Sequence, residues 1–393
     1  MKTFVLALAL ASTGPVPPPD GPLRIDPVDT FNYVLGTQTI GVKYGFTDKT
    51  RLVETADRIH RMGSNLLKIC MSKTYPADYF LPGRDDVRSL TELARDEPSF
   101  RAVLDMPFAY TLIWTYCFSP GWWADGFSQE ERDSEYREMY EFATYLLKQY
   151  AGSGKTFLIG HWEGDWHLLG GYDAGKTPSA TAIAGMIDWL NVRQRAIDDA
   201  KRDVPAKDVR LAHYTEVNLV QKAMKGEACL TYSVLPHTQV DYVSYSSYDT
   251  VNPHVGSTGP ALRQALDFIQ SRLPARPGIE GRRVFIGEYG FPLELAKTPE
   301  VQDRYARDVC RAGLEWGCPF VLYWEMYCNE VVDGHHRGFW LVDDQDREQP
   351  FYRTLQDYYR QSRTFVCEFR AANGRLPTDA EFRHQAIEIL GSP

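Results

Sequence analysis

The sequence predicts a single (β/α)8 barrel of the α/β class, closed by a short helical tail, and three observations carry that prediction. Eight short runs rich in β-branched and aromatic residues recur between residues 38 and 326. Stretches with helical periodicity separate them. No nucleotide-binding fingerprint accompanies the alternation, which sets it apart from a doubly wound dinucleotide-binding sheet. The nearest decoy, Gly152-Ser153-Gly154-Lys155-Thr156, lacks the first glycine of a phosphate loop because position 149 is Gln. It also leads from a helix into a strand, the reverse of that motif's order, and reads as a turn.

Taken from the N-terminus, residues 1–12 (MKTFVLALALAS) place one Lys before an apolar run that ends in small residues. That pattern reads as a secretory leader and predicts a secreted or periplasmic protein. The run is far shorter than the about 20 residues a membrane span needs. Residues 13–35 are a Pro-rich linker and lead-in, whose TGPVPPPDGP stretch excludes helix and interior strand. The barrel is expected over 36–363. Its strands are expected at 38–44, 65–71, 109–117, 156–162, 209–216, 240–247, 283–289 and 319–326. Helical patterns fall at 49–62, 85–105, 128–150, 178–202, 259–273, 298–316 and 350–361, with a less clear short one at 217–226. The tail, 364–393, carries a helix candidate at 378–389.

Composition narrows the function. With 24% charged and 44% hydrophobic residues the chain is globular, and its net charge of -9 with no basic run excludes a nucleic-acid or anionic-membrane partner. Seven cysteines lie scattered without CxxC pairs, so zinc-ribbon and thioredoxin motifs are absent. Cys70, Cys117 and Cys328 sit in apolar strand-like runs and are expected as buried free thiols; export leaves room for one or two disulfides, and the odd count leaves at least one thiol unpaired. Aromatic residues, at 13%, are the unusual component.

Barrel enzymes carry their chemistry at the C-terminal ends of the strands. There the sequence offers His161-Trp162-Glu163-Gly164-Asp165-Trp166, Gly287-Glu288-Tyr289-Gly290 and Tyr323-Trp324-Glu325. Alternation puts Phe157, Ile159, His161 and Glu163 on one expected face, and Val284, Ile286 and Glu288 on another. Two carboxylates at the top of a packed barrel, ringed by aromatic residues, fit glycoside hydrolysis: one carboxyl protonates the leaving oxygen, and the other attacks the anomeric carbon. Trp and Tyr faces suit the apolar C–H faces of sugars. A carbohydrate is therefore the expected partner, and the mechanism needs no cofactor or metal.

These motifs resemble the large clan of retaining (β/α)8 glycoside hydrolases that includes many cellulases, mannanases and β-galactosidases. The resemblance covers roughly residues 36–361 and ends in Gly338-Phe339-Trp340-Leu341-Val342-Asp343. It implies that Glu163, after strand four, is the acid/base and that Glu288, ending strand seven, is the nucleophile. It also implies that Lys68, in Gly63-Ser64-Asn65-Leu66-Leu67-Lys68-Ile69, is the basic residue near that nucleophile. Tyr245 and Tyr248 match a tyrosine that hydrogen-bonds the nucleophile, and Trp324 matches the indole that floors the sugar site. Two positions depart from the pattern. Trp162 stands where the clan has an Asn that contacts the sugar 2-hydroxyl, leaving that contact to His161 or His213. Lys68 stands where the clan usually has Arg, supplying charge without a bidentate fork.

Among the remaining candidates, Glu216 is expected as a substrate ligand or a partner of Lys68. Asp165 shapes its loop or binds a hydroxyl. Trp114, Trp122 and Trp123 form a sugar platform or pack the loop after strand three. Asp333-Gly334-His335-His336 reads as a loop, and Glu325, opposite in parity to Trp324, as a residue facing away from the sugar. Two rival readings are a carbohydrate-binding barrel without catalysis and a metal-dependent hydrolase built on His161, His213 and Glu216.

Overall fold

The computed structural model describes residues 26–119 and 122–391. The leader at 1–12 and residues 13–25 of the linker lie outside the described residues. Eight parallel strands close into a barrel in sequence order: β1 (Leu35–Gln38), β2 (Leu66–Met71), β3 (Tyr110–Thr115), β4 (Thr156–Gly160), β5 (Arg210–Val217), β6 (Tyr242–Ser246), β7 (Val284–Tyr289) and β8 (Val321–Tyr323). Long helices at Arg51–Met62, Gln129–Gln149, Ala180–Asp203, Thr258–Arg272, Pro299–Trp316 and Pro350–Asn373 surround it. The (β/α)8 barrel with C-terminal helices is therefore the fold. Among the described residues no helix is long and apolar enough to cross a membrane.

Strand pairing fixes which side chains fill the barrel. Lys68 lies opposite Leu112, Leu158 opposite Ala212, and Glu216 opposite Ser244. With period-two alternation, Leu112 and Trp114 of β3, Tyr214 and Glu216 of β5, and Ser244 and Ser246 of β6 face inward. The intervening residues pack outward. Phe157 packs 5.1 Å from Tyr150, at the end of the helix Gln129–Gln149, so Phe157 and Ile159 lie on the helix-facing side and not on the face expected to carry Glu163.

β7 breaks the alternation where it matters most. Ser244 pairs with Phe285 and Tyr245 with Ile286, yet Ser246 pairs with Glu288. Gly287 is the extra residue of a β-bulge, which re-aims the side chain that follows it. Ile286 packs outward against Gly313 of the helix Pro299–Trp316, whereas Glu288 turns inward. The expected common face of Val284, Ile286 and Glu288 is therefore replaced by a register shift that brings Glu288 to the centre. Only glycine fits the bulge, because a Cβ on Gly287 would stand 1.7 Å from Ser244 Oγ. Gly287→Ala is expected to destabilise the fold by about 1–3 kcal/mol through overpacking, measured by denaturant unfolding.

Several boundaries differ from the sequence reading. β1 begins three residues earlier than expected and ends at Gln38; the rest of 38–44 is a loop that turns at Gly41, where φ is 65°. The expected helix at 85–105 is two helices, Leu90–Asp96 and Pro98–Asp105. Pro98 forces the preceding Glu97 out of helical geometry, to φ -83° and ψ 116°. The Glu97 carboxylate then caps the second helix through Ser99 N at 2.9 Å and Phe100 N at 3.0 Å. The expected helix at 350–361 runs on to Asn373 and stops at Gly374, where φ is 69°. The tail helix is Asp379–Leu390, opened by a Thr378/Glu381 capping box, and its Phe382 ring packs 4.9 Å from Phe31. Of the expected segment 217–226 only Val220–Met224 is helical. Asp333-Gly334 forms the two-residue turn of a small hairpin, Val331–Val332 with His335–His336.

Candidate active site

A cleft of about 840 Å³ opens at the C-terminal ends of the strands, and both Glu163 and Glu288 line it together with Trp114, Trp162, Tyr248 and Trp324. β4 ends at Gly160, and the chain turns sharply before the short helix Gly164–Leu169. That turn separates His161 from Glu163. His161 is fully buried; its Nε2 is 2.7 Å from Thr215 Oγ1, and its ring lies 5.1 Å from Trp189 of the helix Ala180–Asp203. Glu163 instead projects into the cleft, where Trp166 Nε1 donates to its Oε2 at 2.6 Å.

At the centre beneath the two carboxyls lies Glu216, fully buried and surrounded by donors. It accepts from Lys68 Nζ at 2.8 Å, Ser244 Oγ at 2.6 Å, Ser246 Oγ at 3.2 Å, Trp114 Nε1 at 3.4 Å and Glu163 N at 3.1 Å. Lys68 also donates to Gly287 O at 3.0 Å and lies 4.1 Å from the centre of the Trp114 ring. Lys68 thus grips Glu216 and the β7 bulge, and reaches Glu288 through its charge and not through a hydrogen bond. Of the two roles expected for Glu216, partner of Lys68 is the one the structure displays.

The two cleft carboxyls have unequal surroundings. Glu288 accepts from Tyr248 OH at 3.1 Å and from Ser246 Oγ at 3.3 Å. Burial pushes its carboxyl up, and the Lys68 charge together with those hydroxyls works against that rise. Burial pushes the Glu163 carboxyl well above the usual range, and the charges of Glu288 and then Glu216 push it further, with only the Trp166 indole and the more distant Lys68 opposing. Burial thus raises both carboxyls, and the surroundings oppose that rise more at Glu288 than at Glu163.

Other candidates separate cleanly. Tyr248 bonds Glu288, but Tyr245 points outward between Ser244 and Ser246, and its hydroxyl is held by Asp249 and, at 2.6 Å, by Thr250. Tyr245 is therefore not the partner of Glu288, because strand alternation turns it away. His213 faces the helix Ala180–Asp203, with Nδ1 3.2 Å from Gln194 Oε1. It does not reach the cleft. His213 and Glu216, an odd number of residues apart on β5, lie on opposite faces, so they cannot join His161 around one metal ion. Among the described residues no cluster of metal-ligating side chains occurs.

Asp165 is fully buried and accepts from Asn218 N at 2.9 Å, Leu219 N at 3.1 Å and Leu230 N at 2.7 Å. It ties three loop amides and has no access to a ligand. Trp122 lines the cleft, but Trp123 is fully buried and stacks on Trp189 with centroids 5.8 Å apart. Trp114 stands 6.2 Å from Trp324 and 6.4 Å from Trp162, forming an indole wall. Glu325 turns from the cleft to hold the amides of Ile40 and Asn329, at 3.3 Å and 2.9 Å. All seven cysteines are free, and both Cys70 and Cys117 line the cleft.

The sequence reading passed over Ser244 and Ser246, which hold Glu216 and Glu288. It also passed over the bond from Trp166 to Glu163 and the pairing of Tyr116 OH with His167 Nε2 at 2.8 Å. Period-two alternation along β6 was the available signal for the serines.

No family model and no curated protein sequence matches this chain. Solved structures do match it in three dimensions. A GH5_18 protein from Streptomyces cattleya, solved in complex with Manb1-4GlcNAc, superposes with a TM-score of 0.56 at 15% identity over 84% of this chain and 81% of that one. An exo-beta-1,4-mannosidase from Opitutaceae bacterium strain TAV5 gives 0.55 at 14% identity over 84% of this chain and 60% of that one. A family 5 xyloglucanase from Paenibacillus pabuli gives 0.52 at 12% identity over 86% and 99% of the two chains. At these identities the likeness establishes a shared barrel fold.

Proposed function

We propose that this protein is a retaining glycoside hydrolase acting on a carbohydrate through Glu163 and Glu288. The observation that carries the reading is the unequal surroundings of two carboxyls in one aromatic cleft: Glu288 faces hydroxyl donors and a lysine charge, whereas Glu163 has a single indole donor and two neighbouring carboxylates that favour its protonated form. Environments that push two carboxyls apart assign the acid and the nucleophile. Glu288 Oε attacks the anomeric carbon as the glycosidic C–O bond breaks, and Glu163 gives its proton to the departing oxygen. Water then attacks the glycosyl–Glu288 ester, Glu163 takes the water's proton, and Glu288 leaves as carboxylate.

Tyr248 and Ser246 hold the carboxylate in line, and Lys68 favours its ionised form. Trp114, Trp162 and Trp324 supply faces for the sugar. The fold-mates include an exo-beta-1,4-mannosidase and a protein holding Manb1-4GlcNAc, so β-mannosides head the substrate panel, followed by β-glucosides and β-galactosides. The N-terminal leader pattern supports export from the cytoplasm.

Trapping with the matching 2-deoxy-2-fluoro glycosyl fluoride tests the assignment. The expected result is a stoichiometric covalent label on the peptide containing Glu288. A label on any other residue overturns it.

A further inference from the structure

Tyr172 is the most exposed large aromatic residue of the described chain, at 75%. Other exposed rings have partners that account for them: Arg51 lies 3.5 Å over Phe80, and Arg272 lies 4.9 Å from the Tyr232 ring. The ring neighbours of Tyr172 are two indoles, Trp162 at 6.1 Å and Trp166 at 5.8 Å. Both belong to the acid side of the cleft. Trp162 lines it beside Glu163, and Trp166 bonds the Glu163 carboxyl directly.

The loop that carries Tyr172 is anchored. Lys222 Nζ donates to Ala174 O at 2.7 Å and to Lys176 O at 2.5 Å. The helix Gly164–Leu169 delivers the chain to this loop through Gly170, where φ is 66°. The same aromatic band continues the other way. His167 lies 5.7 Å from Trp162 and 5.2 Å from Trp122, and burial lowers its pKa to about 4. The band Trp122–His167–Trp162–Tyr172 is thus uncharged at neutral pH and lies alongside the proton donor.

We infer that Tyr172, with Trp162, forms a binding platform for the leaving-group sugar, the residue released on the Glu163 side of the scissile bond. The inference rests on the glycosidase reading, because Glu163 must lie beside the oxygen that departs. The platform presents apolar ring faces and no charge, so the group it takes is a neutral pyranose whose C–H face stacks on the ring. The enzyme then discriminates substrates by what is linked to the cleaved sugar as well as by that sugar itself.

The test compares substrates that differ only in the leaving group: β-mannosyl, β-glucosyl and β-galactosyl fluoride, which carry no leaving-group ring, against β-1,4-mannobiose, cellobiose and lactose. For whichever sugar is turned over, the ratio of kcat/KM for disaccharide over fluoride is expected to fall about tenfold in Tyr172→Ala, the scale of one lost ring contact. Tyr172→Phe, which keeps the ring, is expected to hold the ratio near that of the native protein. An unchanged ratio in Tyr172→Ala overturns the platform while leaving the glycosidase reading intact. Native turnover of a fluoride but of neither disaccharide also overturns the platform. Failure of the native protein on every fluoride and disaccharide overturns the glycosidase reading itself, and the platform with it.

Discussion

Glu288→Ala is expected to lower kcat on every substrate by on the order of 10⁴-fold or more, the scale seen when an attacking group is removed. The loss is independent of the leaving group, because no covalent intermediate forms even when the departing oxygen needs no proton. Truncation leaves room beneath the anomeric carbon, ringed by Tyr248, Ser246 and the Lys68 charge. Added azide is expected to use that room and attack from the vacated face. The product is then a glycosyl azide of inverted anomeric configuration, identified by NMR. Recovery of activity without inversion would contradict the role given to Glu288.

Glu163→Ala behaves differently in kind. Loss of a positioned general acid costs roughly 10²–10⁴-fold, but only where the leaving oxygen needs protonation. Disaccharides are expected to lose that full factor, and 2,4-dinitrophenyl glycosides to lose little in the glycosylation step. The pH profile carries the sign. The Glu163 carboxyl sits well above its ordinary value through burial and then the charges of Glu288 and Glu216. It is expected to hold its proton at low and neutral pH, so the alkaline limb of activity is expected where pH rises through its raised pKa. On the acid side activity falls as Glu288 takes up its own proton. In Glu163→Gln assayed on a dinitrophenyl glycoside, the alkaline limb of kcat/KM is expected to vanish while the acid limb stays. Persistence of both limbs would assign the alkaline one to another group.

The reasons why parts of this site were legible in the sequence are physical. Short apolar and β-branched runs located seven of the eight strands, because parallel strands covered by helices must bury both faces; the first was met only at Gln38. They also placed the two glutamates at the correct strand ends. Strict alternation failed wherever the backbone left regular geometry. Glu288 reaches the cleft through the bulge at Gly287, which a strict period of two cannot represent. His161 and Glu163 part company because β4 stops at Gly160. Tyr245 and His213 show the opposite error. Regular alternation, applied strictly to β5 and β6, turns both away from the cleft; their chemistry alone suggested otherwise. Trp122 and Trp123 are adjacent in sequence, yet one lines the cleft and the other is core, stacked on Trp189 of the later helix Ala180–Asp203.

The five donors on Glu216 come from β2, β3, the turn after β4 and, twice, β6. Such a tie makes Lys68 and Glu216 exchangeable only as a pair. Removing either partner alone strands a buried charge, which costs about 3–5 kcal/mol, so a step-by-step path to an arginine at position 68 must keep Glu216 answered throughout. For a protein engineer the transplantable unit is correspondingly larger than the two cleft carboxyls. Moving this site to another barrel means carrying the lysine, the central glutamate and both serines across together, since Glu216 holds the Glu163 amide, Lys68 holds the β7 bulge and Ser246 holds the Glu288 carboxyl.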